Sequence, residues 1–491
     1  MTLSTVQVAQ LLTTTAVVIL AAHALGYLFA KLRQPAVIGE IVAGLLLGPT
    51  LLGLVAPQLK AGLFPATGPT SVALGTLGQF GLLLLMFVTG GEMQLRPGER
   101  ERRTVGMIAV AGLILPFVCG ALFVQLLDYR HFSGPSGSLI TFTLIFGIAV
   151  AVTSIPVISR IMLDLGLLHT PFARVVLSVA AVEDVVLYVV LAVVLSLAHK
   201  SPTDDYGLWA LIGSDSTALS VIYHVLVTLV FFAFLLTSGH RVFRWLLLSR
   251  INVVARRSPV AARVAWLLGA VLLCTVLGIN PIFGALLAGL ALRRGEPPRT
   301  AAAVGTIRST GAESSISASS WQAWDTLRQF SLAFFIPIYF FTVGLKLDLI
   351  HNFEVRFFLC FFVLSCGLKA SSIWFGAKLA GQPSGRAWDL AVALNARGGP
   401  GIVLATVTFQ AGIINDSFFT SIVLLSVVTS QLAGFWLDRR FAAVVTDAVS
   451  AQTAHETTGQ PDQEAIALPS NTLTGSERVQ DADRPDIPER A

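Results

Sequence analysis

Apolar residues run along this chain in long blocks from about residue 6 to residue 437, with short polar stretches between them. A helix rises 1.5 Å per residue, so roughly 20 apolar residues cross a bilayer core of about 30 Å. About thirteen blocks read as such spans, at roughly 6–30, 36–55, 71–91, 105–127, 138–160, 173–198, 219–237, 262–278, 280–293, 329–345, 356–377, 387–411 and 417–437. The expected fold is an all-α polytopic membrane protein. The eighth and ninth blocks are short and nearly continuous, which suits a tight helical hairpin. The opening "MTLSTVQVAQLL" has no basic region and no small-residue cleavage site, so the first block reads as a retained helix.

Composition agrees with the pattern. The 491 residues are 54% hydrophobic and 12% charged, and the mean hydropathy is +0.76. Soluble domains carry about 25% charged residues. The net charge of +5 invites a nucleic-acid reading, but the placement of the basic residues removes it. Lys31, Arg96, Arg100, Arg102, Arg241, Arg244, Arg328, Lys378, Arg439 and many others fall in the odd-numbered loops and after the last span. The even loops hold only Lys60, Arg130, Lys200, Lys346 and Arg356. The positive-inside rule then places the N-terminus outside and the C-terminus in the cytoplasm of a cell-membrane protein. The four cysteines lie inside apolar blocks without C-x-x-C spacing, so neither a disulfide framework nor a zinc site is indicated. Residues 441–491 are polar and read as a disordered cytoplasmic tail without a nucleotide-binding loop.

The chain repeats itself. "GEIVAGL" (Gly39–Leu45) recurs as "GALLAGL" (Gly284–Leu290), and "LLMFVTGGEMQL" (Leu84–Leu95) as "IYFFTVGLKLDL" (Ile338–Leu349). "AVAVTSIPVI" (Ala149–Ile158) recurs more loosely as "AVALNARGGPGI" (Ala391–Ile402). All three pairs keep their order. Six spans (about 6–198), one linker helix (about 219–237) and six more spans (about 262–437) explain the spacing. A single linker helix inverts the second repeat relative to the first, and inverted repeats are the architecture of secondary transporters.

Within this apolar background, two acids and two bases sit deep in spans. Glu183 and Asp184 lie in "AAVEDVV", Lys369 in "SCGLKASSIWF" and Arg397 in "LNARGGPGI". Asp184 is about 15 Å past Arg174, half of the membrane core. Charges at this depth cost several kcal/mol and by default mark an ion or proton path. Neighbours on a helix project about 100° apart, so Glu183 and Asp184 can serve different partners: one a cation such as Lys369, the other a cavity. Competition of H⁺ and a monovalent cation for one carboxylate suffices for exchange. Two spans also look broken. Thr153, Ser154 and Pro156 interrupt the fifth, and Gly398, Gly399 and Pro400 the twelfth. Free helix ends and carbonyls at such breaks suit ion sites. Glu40, Glu92 and Asp164 read as interfacial, His23 as a packed histidine, and the loop 294–328 as long, with an amphipathic stretch around Trp321–Phe330.

"PAVIGEIVAGLLLGPTLLG", "AVAVTSIPVISRIM", "AAVEDVV", "PIYFFTVGLKLDL" and "LNARGGPGIVLATVTFQAGII" together resemble the monovalent cation:proton antiporters, most nearly the bacterial sodium/proton exchangers and potassium-efflux antiporters. The likeness spans about residues 10–437. It implies thirteen helices with two crossing broken helices, a core domain moving like an elevator against a dimerisation domain, and a homodimer. It also implies exchange of Na⁺ or K⁺ for H⁺ at Asp184, with Thr153 and Ser154 as the unwound ion-site segment. Lys369 matches the lysine that pairs with the first acid in electrogenic members. Glu183 departs from the Asp, Asn or Gln usual before the aspartate, and "GGPG" departs from the family pattern after Arg397. No cofactor, enzyme motif or nucleic-acid partner is expected; membrane lipid is. An ion-coupled symporter of a small organic solute on a related inverted-repeat fold is the nearest rival.

Overall fold

The computed structural model describes residues 4–32, 34–92, 101–155, 158, 162, 167, 170–198, 208, 217–248, 254, 257–295 and 311–458. Among these, regular structure is helical apart from one isolated bridge between Ser133 and Ile414. The first repeat holds α1 (Thr5–Lys31), α2 (Ala36–Leu47), two short helical turns α3 (Leu52–Val55) and α4 (Pro57–Leu63), α5 (Pro69–Glu92), α6 (Arg102–Phe123), α7 (Leu139–Ala151) and α8 (Pro171–Ala198). The linker is α9 (Thr217–Leu248), longer than the block that announced it. The second repeat holds α10 (Pro259–Leu277), α11 (Pro281–Gly295), α12 (Gly311–Phe330), α13 (Ile336–Leu345), α14 (Val355–Leu379), α15 (Ser384–Ala393), α16 (Gly398–Gln410) and α17 (Asp416–Thr458). A π-helical turn, Ser331–Phe335, joins α12 to α13. The stretch expected as a loop before residue 329 is therefore helical from Gly311, and one span runs Trp321–Leu345. α17 passes the boundary expected at residue 440 and runs to Thr458; residues 459–491, and most of the loop 294–310, lie outside the described residues.

Among the described residues, ten helices are long and apolar enough to cross a membrane, and α15 with α16 forms an eleventh span bent by 40°. The two remaining apolar blocks carry shorter helices. α7 has 13 residues because its helix stops at the break after Ala151. α11 follows α10 through a tight reversal in which Gly278 takes φ 75°, the left-handed conformation that glycine tolerates without Cβ strain. Large apolar side chains such as Leu20, Val110, Leu122 and Phe375 remain exposed on the outside of the bundle, as lipid-facing surfaces require.

The inverted repeat is built into the packing. Gly44 of α2 lies so close to α13 that a methyl group there would run into the Phe341 carbonyl oxygen, and one at Gly344 would run into that of Ile41. The same reciprocal contact joins α11 to α5: Gly289 faces the Phe87 carbonyl, and Gly90 faces that of Leu286. Gly44 and Gly289 are equivalent in the repeat, as are Gly90 and Gly344. A third pair follows suit. Gly39 packs against the Leu25 carbonyl of α1, and its equivalent Gly284 lies 2.7 Å, at the Cβ position, from that of Ala270 in α10. Helices in lipid lack a hydrophobic drive to associate, so close backbone approach at small residues holds them. These crossings tie α1, α2 and α13 into one trio and α5, α10 and α11 into another, and α5 packs on α13 to join the two into one layer. α6, α7, α8 and α14 pack with α15 beside it, and Phe418 of α17 stacks among Phe142, Phe146, Phe357 and Phe361.

Candidate functional site

Helix α7 ends at Ala151 because Val152 takes an extended conformation (φ −61°, ψ 142°), leaving the last carbonyls of the helix without intrahelical donors. Two buried cations from the second repeat occupy them. Lys369 Nζ donates to the Ala151 carbonyl at 2.6 Å, and Arg397 Nη2 donates to that of Val150 at 2.9 Å. A cation at a helix C-terminus also meets the negative end of the helix dipole. The opposite half-helix, α15, ends at Ala393, and the carbonyl of its cap residue Leu394 lies 2.9 Å from Thr153 Oγ1. Arg397 of the second break thus caps the first, and Thr153 of the first break caps the second.

The ion pair expected between Glu183 and Lys369 is present. Lys369 Nζ lies 2.9 Å from Glu183 Oε2, and both side chains are fully buried. Nζ also donates to the Gly112 carbonyl of α6 at 2.9 Å. With Ala151 that makes three acceptors, which match the three N–H groups of an ammonium ion. Thr153 Oγ1 lies 2.7 Å from the same Glu183 oxygen. A hydroxyl has one proton, so Thr153 shares it between Glu183 and Leu394. Ser154 is fully buried beside it. Pro156 lies outside the described residues.

Arg397 is fully buried and bonds to no acid among the described residues. Its guanidinium spreads over the carbonyls of Val150 and Ser365 and over Asn395 Oδ1, at 2.8–2.9 Å. After it, Gly398 adopts φ 32°; its N–H donates to Ser430 Oγ. Gly399 and Pro400 follow in the first turn of α16. The departure "GGPG" thus begins a half-helix rather than disrupting one.

The neighbouring acids do point apart. Asp184 is 1% exposed, yet neither of its carboxylate oxygens has a hydrogen-bond partner among the described residues, nor has Glu183 Oε1. One turn further along α8, the buried Tyr188 hydroxyl also has no hydrogen-bond partner among the described residues. Val182 and Val186 face outward at 36% and 37% exposure. One face of α8 therefore meets apolar surroundings while the other carries an acid, a second acid and a phenol. Lys369 neutralises Glu183 and helix ends accommodate Arg397. Asp184 is left as a buried carboxylate with open lone pairs, which a small cation or a proton can occupy.

Two cavities, each of about 350 Å³, approach this region. One is lined by Glu40, Glu92, Arg328, Tyr188, Gly399 and Pro400, among others. The other is lined by Gln79, Lys346, Gln410, Thr406 and Tyr339, with Tyr339 Oη 3.2 Å from Thr406 Oγ1. Glu40, expected at the interface, is 8% exposed: α2 packs Gly39 onto α1 and Gly44 onto α13, which draws its side chain inside. Glu92 does sit at a partly exposed ion pair, 2.6 Å from Arg328. Asp164 lies outside the described residues. The His23 ring bonds to the Ala333 carbonyl. The sequence reading passed over Tyr188 and Tyr339, and took Lys346 as a topology signal only. The one signal available for Tyr188 was its spacing, four residues after Asp184 on a helix.

The family described as "Sodium/hydrogen exchanger, transmembrane" matches residues 17–442. The chain belongs to that family. It is therefore a multi-pass membrane transporter of the cation/proton antiporter kind, and not an enzyme. It is 28% identical over 419 residues to the Na⁺/H⁺ antiporter NhaS4 of Synechocystis, covering 84% of this chain and 93% of that one. It is 24% identical to the Na⁺/H⁺-K⁺ antiporter GerN of Bacillus cereus, covering 87% and 95%. It is 26% identical to the K⁺/H⁺ antiporter 1 of Saccharomyces cerevisiae, of which it spans 43%. In fold it is similar to the sodium proton antiporter MjNhaP1 of Methanocaldococcus jannaschii, with a TM-score of 0.51, 14% identity, and coverage of 89% of this chain and 98% of that one.

Proposed function

We propose that the chain exchanges Na⁺ or K⁺ for H⁺ at Asp184, electrogenically, by elevator-like movement of the layer carrying the broken helices against the glycine-crossed layer, as a homodimer of thirteen-span subunits with the N-terminus outside. The observation that carries this reading is the contrast within one pair of neighbours. Glu183 is neutralised by Lys369 at 2.9 Å, whereas both oxygens of the equally buried Asp184 have no partner among the described residues. Burying an uncompensated carboxylate is costly, and its alternate occupation by H⁺ and a cation offsets that cost in both transport states. Both cations are hard and take oxygen ligands, so NhaS4, GerN and the yeast relative together support a monovalent cation without choosing between the two. All three relatives are named as antiporters, which leaves the symporter reading without support. The cytoplasmic crowding of basic residues supports the orientation. The test is ΔpH dissipation by purified protein in liposomes on addition of Na⁺, K⁺, Li⁺ or Rb⁺. Asp184→Asn abolishes it while folding normally, since the amide replaces a group without a hydrogen-bond partner among the described residues. Exchange persisting in that variant excludes Asp184 as the carrier.

A further inference from the structure

The inverted repeat supplies an internal control for its own charged residues. Glu40 is equivalent to Ala285, and Glu92 is equivalent to Lys346. On the helix that carries Ala285 the Gly289 crossing forms as closely as the Gly44 crossing on the helix that carries Glu40, so a carboxylate at that position is not needed to pack these helices. It is placed in one repeat only. There it lines the cavity that opens at Glu92 and Arg328 and reaches Tyr188, one turn from Asp184. Glu92 is already paired with Arg328. Glu40 has no ion-pair partner among the described residues; it is 8% exposed, and its Oε2 is buried without a hydrogen bond. The cavity at the other end has no carboxylate among its lining residues and carries the Lys346 ammonium instead.

We infer that Glu40 is a second cation-binding carboxylate, a waiting site for the transported monovalent cation on its way to Asp184, and that with Lys346 opposite it makes the affinity of exchange sided. The inference rests on the exchange proposed above. A carboxylate with open lone pairs beside a water-sized cavity holds a partly hydrated monovalent cation and raises its local concentration. An ammonium lining the other cavity lowers it.

The experiment uses the full chain in vesicles of both orientations, with the rate of ΔpH dissipation read against Na⁺ or K⁺ added from one side. From the Glu40 side, Glu40→Ala raises the half-saturating cation concentration about 3–10-fold, the size of a unit charge acting in a partly polar, hydrated medium. The maximal rate and the opposite side stay within about 2-fold. Lys346→Gln lowers the half-saturating concentration from its own side only. Glu40→Gln, which keeps the shape, repeats the Ala result if the charge matters. Equal shifts on both sides, or none, overturn the inference. Binding is read separately as cation-dependent thermal stabilisation of Asp184→Asn: it persists there and is lost in Asp184→Asn/Glu40→Ala. Stabilisation surviving in the double variant also overturns the inference. Loss of exchange in Asp184→Asn alongside unchanged Glu40→Ala kinetics sinks the waiting site and leaves the exchange site standing.

Discussion

The two repeats agree where helices must touch and differ where charge must be handled. Gly44 and Gly289 meet the carbonyls of Phe341 and Phe87, and Gly344 and Gly90 meet those of Ile41 and Leu286, so one solution to helix packing is used twice. At the breaks the halves diverge. The first offers Thr153, and the second offers Asn395, Arg397 and a glycine-proline turn. α8 holds Glu183 and Asp184, whereas its counterpart α17 holds the buried hydroxyls Ser426, Thr429 and Ser430, two of which receive the N–H groups of Arg397 and Gly398. α14 holds Lys369, whereas its counterpart α6 offers Gly112, whose carbonyl accepts from that lysine. Symmetry builds the frame; departures from it build the site. Glu40, Glu183, Asp184, Lys369 and Arg397 all lie where the repeats disagree.

That comparison can be broken at its strongest point first. Gly44→Val and Gly289→Val push a branched side chain into a backbone carbonyl and separate the helices. Both are expected to abolish recovery of monodisperse folded protein by fluorescence-detected size exclusion, whereas Gly367→Ala, with open space at its Cβ position, leaves it unchanged. Equal behaviour of the three variants would show that the crossings are not what holds the frame. Next comes Lys369→Ala, which strands the Glu183 charge and costs about 3–5 kcal/mol, as breaking buried pairs does. Thermal unfolding should register this as a large fall in melting temperature, mostly restored in Lys369→Ala/Glu183→Gln. A double variant as unstable as the sum of its singles would mean that the two side chains do not act as a pair.

Arg397→Lys sharpens the second break. An ammonium cannot reach Val150, Ser365 and Asn395 as the planar guanidinium does, and the loss should be about 1.5–3 kcal/mol, the range for hydrogen bonds to charged groups. Unchanged stability in that variant would mean that α7 does not depend on a cross-repeat cap. The smallest effect is Thr153→Val, which removes one shared proton while keeping the shape. About 1 kcal/mol is expected in thermal unfolding, with exchange retained. A loss of exchange without loss of stability would move Thr153 from holding the crossing to handling the ion.

Much of this was legible along the chain because the bilayer is a severe solvent. Apolar blocks long enough to span it announce helices, and a charge inside one stands out by its cost. Glu183, Asp184, Lys369 and Arg397 were visible for that reason, and the glycine-rich repeats were visible because close backbone approach tolerates no other residue. Which groups meet was not legible. Lys369 takes Glu183 together with carbonyls from two different helices, and Arg397, for all its charge, takes carbonyls and no acid. Glu40 looked interfacial because distance along a helix says how far it lies from a span's end, not which neighbour covers it. The sequence by itself determined the membrane-spanning helices, their inverted pairing and the acids and bases that had to be accounted for. Only the tertiary structure decided which carboxylate is neutralised and which is left open. Pairing depends on carbonyls of α6 and α7 converging with side chains of α8 and α14, and separations of 186 to 257 residues along the chain carry no record of distances near 3 Å in space.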